Sequence, residues 1–363
     1  MKKIIPLLLT AVTILTACAV SGAPTAPEVT EEPETVAVPT QTPDIAPTGK
    51  APEDYTGALT VYAAVDPDAR LAAVAGFEAL YPNVTVTVVP DSAARLVRNI
   101  VREADAPVAD VLWGVSADTL PARREYFRPS LPDCLDLIDP SLCDAKYCWI
   151  GEEALPTVFI ANTDLIPEED IPRTWAALAD FDADTYGRIA VADPAGDRTA
   201  FAQLCAVLFL YGEAGDGYAS GWELVRAIAP KLEIKAEPAL AHADVAAGVN
   251  AVGITLEPAA MEYARENLTV VYPQDGTSAV PSCVAVVKDC PDPELADLFV
   301  EYLLSTDCQT AQSADWGRRP VRSDVVPANL PPLDAIPLVS YDYDYAAANV
   351  DAIREQWLAL PKK

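Results

Sequence analysis

Apolar positions along this chain change their period in a repeating order. Residues 58–63 read as a strand, 67–81 carry Leu71, Val74, Phe77 and Leu80 at helical spacing, and 84–89 form a β-branched alternation. A helical stretch at 92–103 and a buried strand at 110–113 follow. The order β-α-β-α-β predicts a parallel sheet with helices on its faces. Ligands of such sheets gather beyond the carboxyl ends of the strands. Loops 64–66 and 114–118, with Ala64, Ser116 and Ala117, are therefore the first candidate contacts.

A second series begins with the apolar strand 157–161 and continues through a helix at 175–178, strand 188–192 and helices at 199–211 and 221–228. Strand 232–236, helix 242–247 and strand 251–255 complete it. Two such series predict two lobes, each a mostly parallel sheet flanked by helices. Strand 283–287 and helix 293–304 must then dock somewhere. If the chain crosses back to the first lobe, residues 57–157 and 277–363 form lobe 1 and 158–276 form lobe 2. Two linking crossovers make a hinge with a cleft between the lobes.

The first residues point to export. Lys2 and Lys3 precede an apolar run that ends in Leu15-Thr16-Ala17-Cys18, the pattern of a lipoprotein signal peptide over 1–17. Pro6 interrupts that run, which is shorter than the about 20 residues that span a bilayer. Cleavage before Cys18 would leave a thiol to carry lipid and hold the protein at the outer face of the cytoplasmic membrane or in the periplasm. Residues 18–56 are rich in Pro, Thr, Glu and Ala and poor in large apolar side chains. They cannot bury enough surface to offset their ordering entropy, so a disordered tether is expected.

Charge removes one class of partner. The formal net charge is −29, and loss of Lys2 and Lys3 would make it more negative still. A nucleic-acid partner is excluded on that balance. Eight cysteines in an exported chain suggest disulfides, although Cys205 lies in an apolar helical run and reads as a buried structural thiol. With Cys18 lipidated, the other six are Cys134, Cys143, Cys148, Cys283, Cys290 and Cys308, whose spacing leaves the pairing open. Zinc is a poor alternative, because the chain lacks close-spaced C-x2-C and has one His, His242. No G-x-S-x-G, H-E-x-x-H or P-loop is present, so the reading is a binding protein and not an enzyme.

Several segments carry a resemblance. Leu59-Thr60-Val61-Tyr62, the run from Ala109 to Leu120, Ala251-Val252-Gly253-Ile254-Thr255, Gly276-Thr277-Ser278-Ala279-Val280-Pro281 and Arg318-Arg319-Pro320-Val321-Arg322 occur in order over nearly all of 58–360. Together they resemble the extracellular solute-binding proteins of ABC transporters with the type II periplasmic fold, in the branch that binds ferric iron or phosphorylated solutes. That resemblance implies two lobes closing on a small polar solute, with sugar phosphates, phosphonates and other organic anions as candidate classes. It also implies an ABC permease and its ATPase as partners, a monomeric body and no cofactor.

The resemblance places a Ser/Gly/Thr loop for a phosphate or carboxylate at Asp193–Thr199. Here Gly196, Arg198 and Thr199 keep donor chemistry, while Asp197 would repel an anion. It places Glu257, Thr277 and Ser278 near the cleft mouth, where a carboxylate among hydroxyls could accept from sugar hydroxyls or an ammonium group. Glu257 could equally favour a helix N-terminus, and Ser116 could be an ordinary helix cap. After Pro281, Ser282 and Cys283 stand where relatives commonly have an acid and a glycine. Tyr341, Tyr343 and Tyr345 invite comparison with the tyrosine ligands of ferric-binding relatives, but core packing is the safer reading and no metal is expected. The alternatives are a sensory module that presents its liganded form to a membrane kinase, a ferric-iron receptor, or a surface protein that has lost binding.

Overall fold

The computed structural model describes residues 50–361. The expected signal peptide, the lipidated Cys18 and most of the expected tether lie outside the described residues. At the tether's far end, Tyr55 is buried edge-on against Tyr81, with ring centroids 5.5 Å apart.

The first lobe forms as its pattern predicts. Strands β1 (Gly57–Ala63), β2 (Val84–Pro90) and β3 (Val111–Ser116) are parallel, and helices α1 (Pro67–Leu80) and α2 (Ala93–Arg102) connect them. Asp66 starts α1 by accepting from the Asp68 and Ala69 amides, with Pro67 at the first helical position. After the short β4 (Phe127–Arg128), β5 (Ile150–Glu153) closes the lobe's first pass. The sheet order is β2-β1-β3-β11-β4, with β5 also on β11 (Ser282–Val287). Its core is aromatic: Phe299 stacks edge-on against Phe77 at 5.0 Å and Trp113 at 5.9 Å. Gly114 takes φ +85°, and a Cβ there would meet Val65 Cγ2 at 2.4 Å and the Ala64 backbone at 2.9 Å. No other residue fits this close approach without strain.

The second lobe is built on β6 (Thr157–Asn162), β7 (Ile189–Ala192), β8 (Leu232–Lys235), β9 (Val252–Leu256) and β10 (Leu268–Val271), in the order β10-β6-β9-β7-β8. Between them run α3 (Trp175–Ala179), α4 (Ala183–Tyr186), α5 (Arg198–Tyr211), α6 (Ala219–Ile228), α7 (Leu240–Ala246) and α8 (Glu257–Met261). Every residue of α5 from Ala200 to Leu208 is buried, which its nearly all-apolar sequence requires. Gly253 of β9 lies directly under α7, where a Cβ would stand 2.2 Å from the Ala241 carbonyl oxygen.

The two-lobe α/β architecture is present, and its sheets are mixed rather than mostly parallel. β11 runs antiparallel to β3, β4 and β5, while β6 runs antiparallel to β9 and β10. The first strand after each crossover, β6 or β11, runs against the direction of the parallel set, and an apolar run such as 282–287 carries no sign of direction. The crossovers are residues 154–156 and 272–281. They bind each other, through the Pro156 and Ala279 bridge and the Thr157 amide to the Ser278 carbonyl at 2.8 Å.

The C-terminal part adds α9 (Pro293–Leu303) and α10 (Thr306–Trp316) to the first lobe, then runs back beside the crossover at the Thr277 and Leu338 bridge. Helices α11 (Tyr343–Ala348) and α12 (Val350–Leu358) end it. Arg124 of the first lobe pairs with Asp344, whereas Trp357 donates to Asp193 beyond β7 at 2.9 Å.

All seven cysteines among the described residues are free and buried, which corrects the expectation of disulfides. Burial holds their thiols up: Cys134 and Cys290 to about 11, and Cys143, Cys205 and Cys308 to about 12. Such thiols behave as small hydrophobes. No helix among the described residues is long and apolar enough to cross a membrane.

Candidate functional site

A cavity of about 110 Å³ lies where both lobes and both crossovers meet. The first lobe contributes Ser116 and Asp118, just past the carboxyl end of β3. The second contributes Leu256 at the end of β9 and Arg198, Thr199 and Ala202 from the start of α5. Leu155 comes from one crossover and Thr157 from the start of β6 just after it, while Ser278 and Val280 come from the other crossover. Strand ends thus supply the polar groups, as sheet geometry predicts.

Its hydroxyls are held in place. The Ser116 hydroxyl lies 2.6 Å from an Asp118 oxygen and donates to it. Thr157 and Ser278, each about 1 % exposed, bring their hydroxyl oxygens within 3.3 Å of each other. Thr277 is fully buried beside them and donates to the Thr157 carbonyl at 2.7 Å, so it fastens the crossovers. Asp118 also meets Arg198 across the cleft, at 3.3 Å. Burial raises the Asp118 carboxyl above its ordinary value, against the opposing pull of Ser116 and Arg198.

The remaining candidates fall elsewhere. Ala64 is half-buried and donates its amide to the Trp113 carbonyl, and Ala117 is buried with its amide on the Pro281 carbonyl. Gly196 is exposed in the loop before α5, its amide turned back to the Asp193 carbonyl. None of the three is among the cavity's lining residues. Asp197 caps α5 by accepting from the Ala200 amide at 2.8 Å.

Glu257 is fully enclosed. Arg319 clasps it with contacts of 2.8, 3.1 and 2.6 Å, and the Tyr272 hydroxyl donates to it at 2.6 Å. A carboxylate so engaged holds the lobes at the hinge, with Glu257 opening α8 of the second lobe and Arg319 following α10 of the first. Tyr341 and Tyr343 are buried with ring centroids 4.8 Å apart, and Tyr343 donates to the Ser141 carbonyl. Tyr345 packs on Tyr218 at 4.7 Å. Among the described residues no group of three His, Cys, Asp or Glu is placed to hold a metal.

Sequence reasoning missed Asp118 and Thr157. Asp118 lay within the loop 114–118 already marked, and the pattern Ser-x-Asp was the available signal.

A larger groove of about 800 Å³ is formed wholly by residues 168–186. It lies within one segment of the second lobe, so lobe closure does not act on it.

The model of the bacterial extracellular solute-binding protein family matches residues 117–349, nearly all of the span from the cleft to α11. The chain belongs to that family. It is a solute-binding protein of bacterial transport, and no curated protein matches it. Solved structures agree on the fold of this solute-binding protein. Iron-bound HitA from Pseudomonas aeruginosa is 21 % identical, covering 83 % of this chain and 99 % of its own at a TM-score of 0.66. The Trichodesmium protein IdiA (FutA), in complex with iron and citrate, is 20 % identical over 85 % and 100 %, at 0.70. AfuA from Actinobacillus pleuropneumoniae with bound fructose-6-phosphate is 21 % identical over 84 % and 98 %, at 0.63. AfuA is described as a periplasmic binding protein, and all three share the fold of this chain over most of its length.

Proposed function

We propose that this solute-binding protein captures a small polar solute in the cavity between its lobes and delivers it to an ABC permease and its ATPase. The single observation that carries the reading is the convergence of Ser116, Asp118, Thr157, Arg198, Thr199 and Ser278 on one cavity at the hinge. Six polar side chains from two lobes and a crossover can meet a common guest only when the lobes close. A guest with contacts on both lobes binds the closed form better and shifts the population toward it.

Delivery calls for no catalytic group, and the reading is of a binding protein with no enzyme activity. Export with a lipid on Cys18 would keep a monomeric body at the membrane where a permease works. Iron, iron with citrate, and fructose-6-phosphate are the guests named for these structural neighbours. For iron, this cavity offers one carboxylate and no tyrosine; for a phosphate, it offers one guanidinium beside a carboxylate.

The test is a thermal-shift screen of the full chain against ferric iron, sugars, sugar phosphates, organic acids and amines, followed by uptake of the best hit in cells with and without the gene. A stabilising solute whose uptake depends on the gene is expected. Stabilisation without uptake would transfer the cleft to the sensory reading, and no stabilisation by any class would overturn capture itself.

A further inference from the structure

We propose that the solute carries an ammonium group and that Asp118 is its counter-ion in the cavity; the inference rests on the cavity being the solute site. The Asp118 side chain is 5 % exposed, and its cationic partner serves it poorly. Arg198 is 58 % exposed and approaches with one nitrogen at 3.3 Å, beyond the about 2.7–2.9 Å of a well-made charge-assisted bond and without bidentate geometry. Burial therefore outweighs the Ser116 and Arg198 contacts and holds the Asp118 carboxyl high. A buried carboxylate in that state gains most from a compact cation with several donors.

The surroundings fit one. The hydroxyls of Ser116, Thr157, Thr199 and Ser278 can each accept as well as donate, so an ammonium on Asp118 has oxygens for its other two hydrogens. Behind Asp118 lie Cys205, Tyr341 and Tyr343, whose protons burial holds in place, so these three groups carry no charge there. Leu155, Ala202, Leu256 and Val280 line the rest with apolar surface that suits a short alkyl stem. An anionic guest would share about 110 Å³ with Asp118 and find one guanidinium, at the exposed edge. That edge can take the acidic end of a zwitterion, whereas the buried end takes its ammonium. The acidic exterior adds long-range attraction in the same direction.

The experiment is isothermal titration of the full chain with ethanolamine, putrescine and β-alanine beside glucose, citrate and fructose-6-phosphate, for wild type, Asp118→Asn, Arg198→Ala and the exposed control Glu223→Gln. At least one amine is expected to bind. Asp118→Asn should weaken it by about tenfold or more, and Glu223→Gln should leave it unchanged. Arg198→Ala should keep or tighten putrescine, because it removes the weak competitor. The melting temperature of unliganded Asp118→Asn checks that the variant is folded, and relief of a buried charge should leave it equal or higher. Binding of citrate or fructose-6-phosphate without any amine overturns the ammonium assignment and leaves solute capture standing. Amine binding that survives Asp118→Asn within twofold overturns the role of Asp118. No binding by any of the six overturns the ammonium assignment, and solute capture is then decided by the wider thermal-shift screen.

Discussion

Replacing Arg319 by Met should be among the most damaging single changes in this protein. The guanidinium is 0 % exposed and makes three contacts to Glu257, itself 1 % exposed, and a fourth to the Pro331 carbonyl at 2.7 Å. Methionine fills most of the volume but leaves the Glu257 carboxylate buried with the Tyr272 hydroxyl as its remaining donor. Breaking a buried pair by removing one partner costs about 3–5 kcal/mol, because the surviving charge is uncompensated. For a body of this size each kcal/mol moves the melting temperature by about 2–4 °C, so a drop of roughly 6–20 °C is expected. Urea unfolding followed by circular dichroism measures it. The double change Arg319→Met with Glu257→Leu removes both charges, and it should recover much of the loss, with a coupling of more than about 1 kcal/mol. A single-variant loss below about 1 kcal/mol, or additive losses in the double variant, would show that the pair does not hold the hinge.

Glu153 supplies a pH signature. It is buried beside Glu152, Glu257 and Arg318, and desolvation pushes its carboxyl up to about 7. A raised carboxyl contributes stability that is full below its unfolded value near 4.5 and fades as pH rises through 7. Stability should therefore fall between about pH 5 and 8, by at most about 3 kcal/mol from this group, and Glu153→Gln should flatten that slope; an unchanged slope in the variant contradicts the assignment. Gly253→Ala places a Cβ 2.2 Å from the Ala241 carbonyl, and a loss of about 1–3 kcal/mol in urea is expected. Trp357→Ala removes a 2 %-exposed ring and its bond to Asp193. It should cost about 3–5 kcal/mol and open the chain after 349 to limited proteolysis.

Much of this fold is written in local pattern. β1, α1, β2, α2 and β3 follow from alternation and helical spacing, and the loops past the strand ends hold Ser116 and Asp118. What pattern does not carry is partnership over distance. Glu257 reads as a cleft carboxylate until Arg319, sixty-two positions away, is seen clasping it. Asp118 and Arg198 are eighty positions apart. Helix α10 buries Gln309 and Gln312, whose amides bind the Glu152, Leu303 and Ala69 carbonyls, so its inward face is polar and shows no apolar stripe. Cysteine count suggests disulfides because export favours oxidation, yet each thiol among the described residues is buried as packing.

Among the described residues two ion pairs join the lobes, and their contrast bears on how the protein opens. Glu257 and Arg319 form a dry clasp beside the crossovers, too costly to break in a thermal fluctuation. Asp118 and Arg198 form a single long contact with one side chain in solvent, worth about 0–1 kcal/mol. Opening should therefore part Asp118 from Arg198 and leave Glu257 on Arg319, so that the lobes turn about the hinge and gape at the start of α5. A latch that weak cannot hold the lobes shut without a guest. Closure then depends on what the solute adds between Asp118 and the hydroxyls, which makes occupancy legible to a permease as a change of shape. Small-angle scattering of the unliganded protein should therefore show Arg198→Ala about as expanded as wild type, whereas Arg319→Met should loosen the hinge and change the profile; a compact wild type that expands on Arg198→Ala would refute the division of labour.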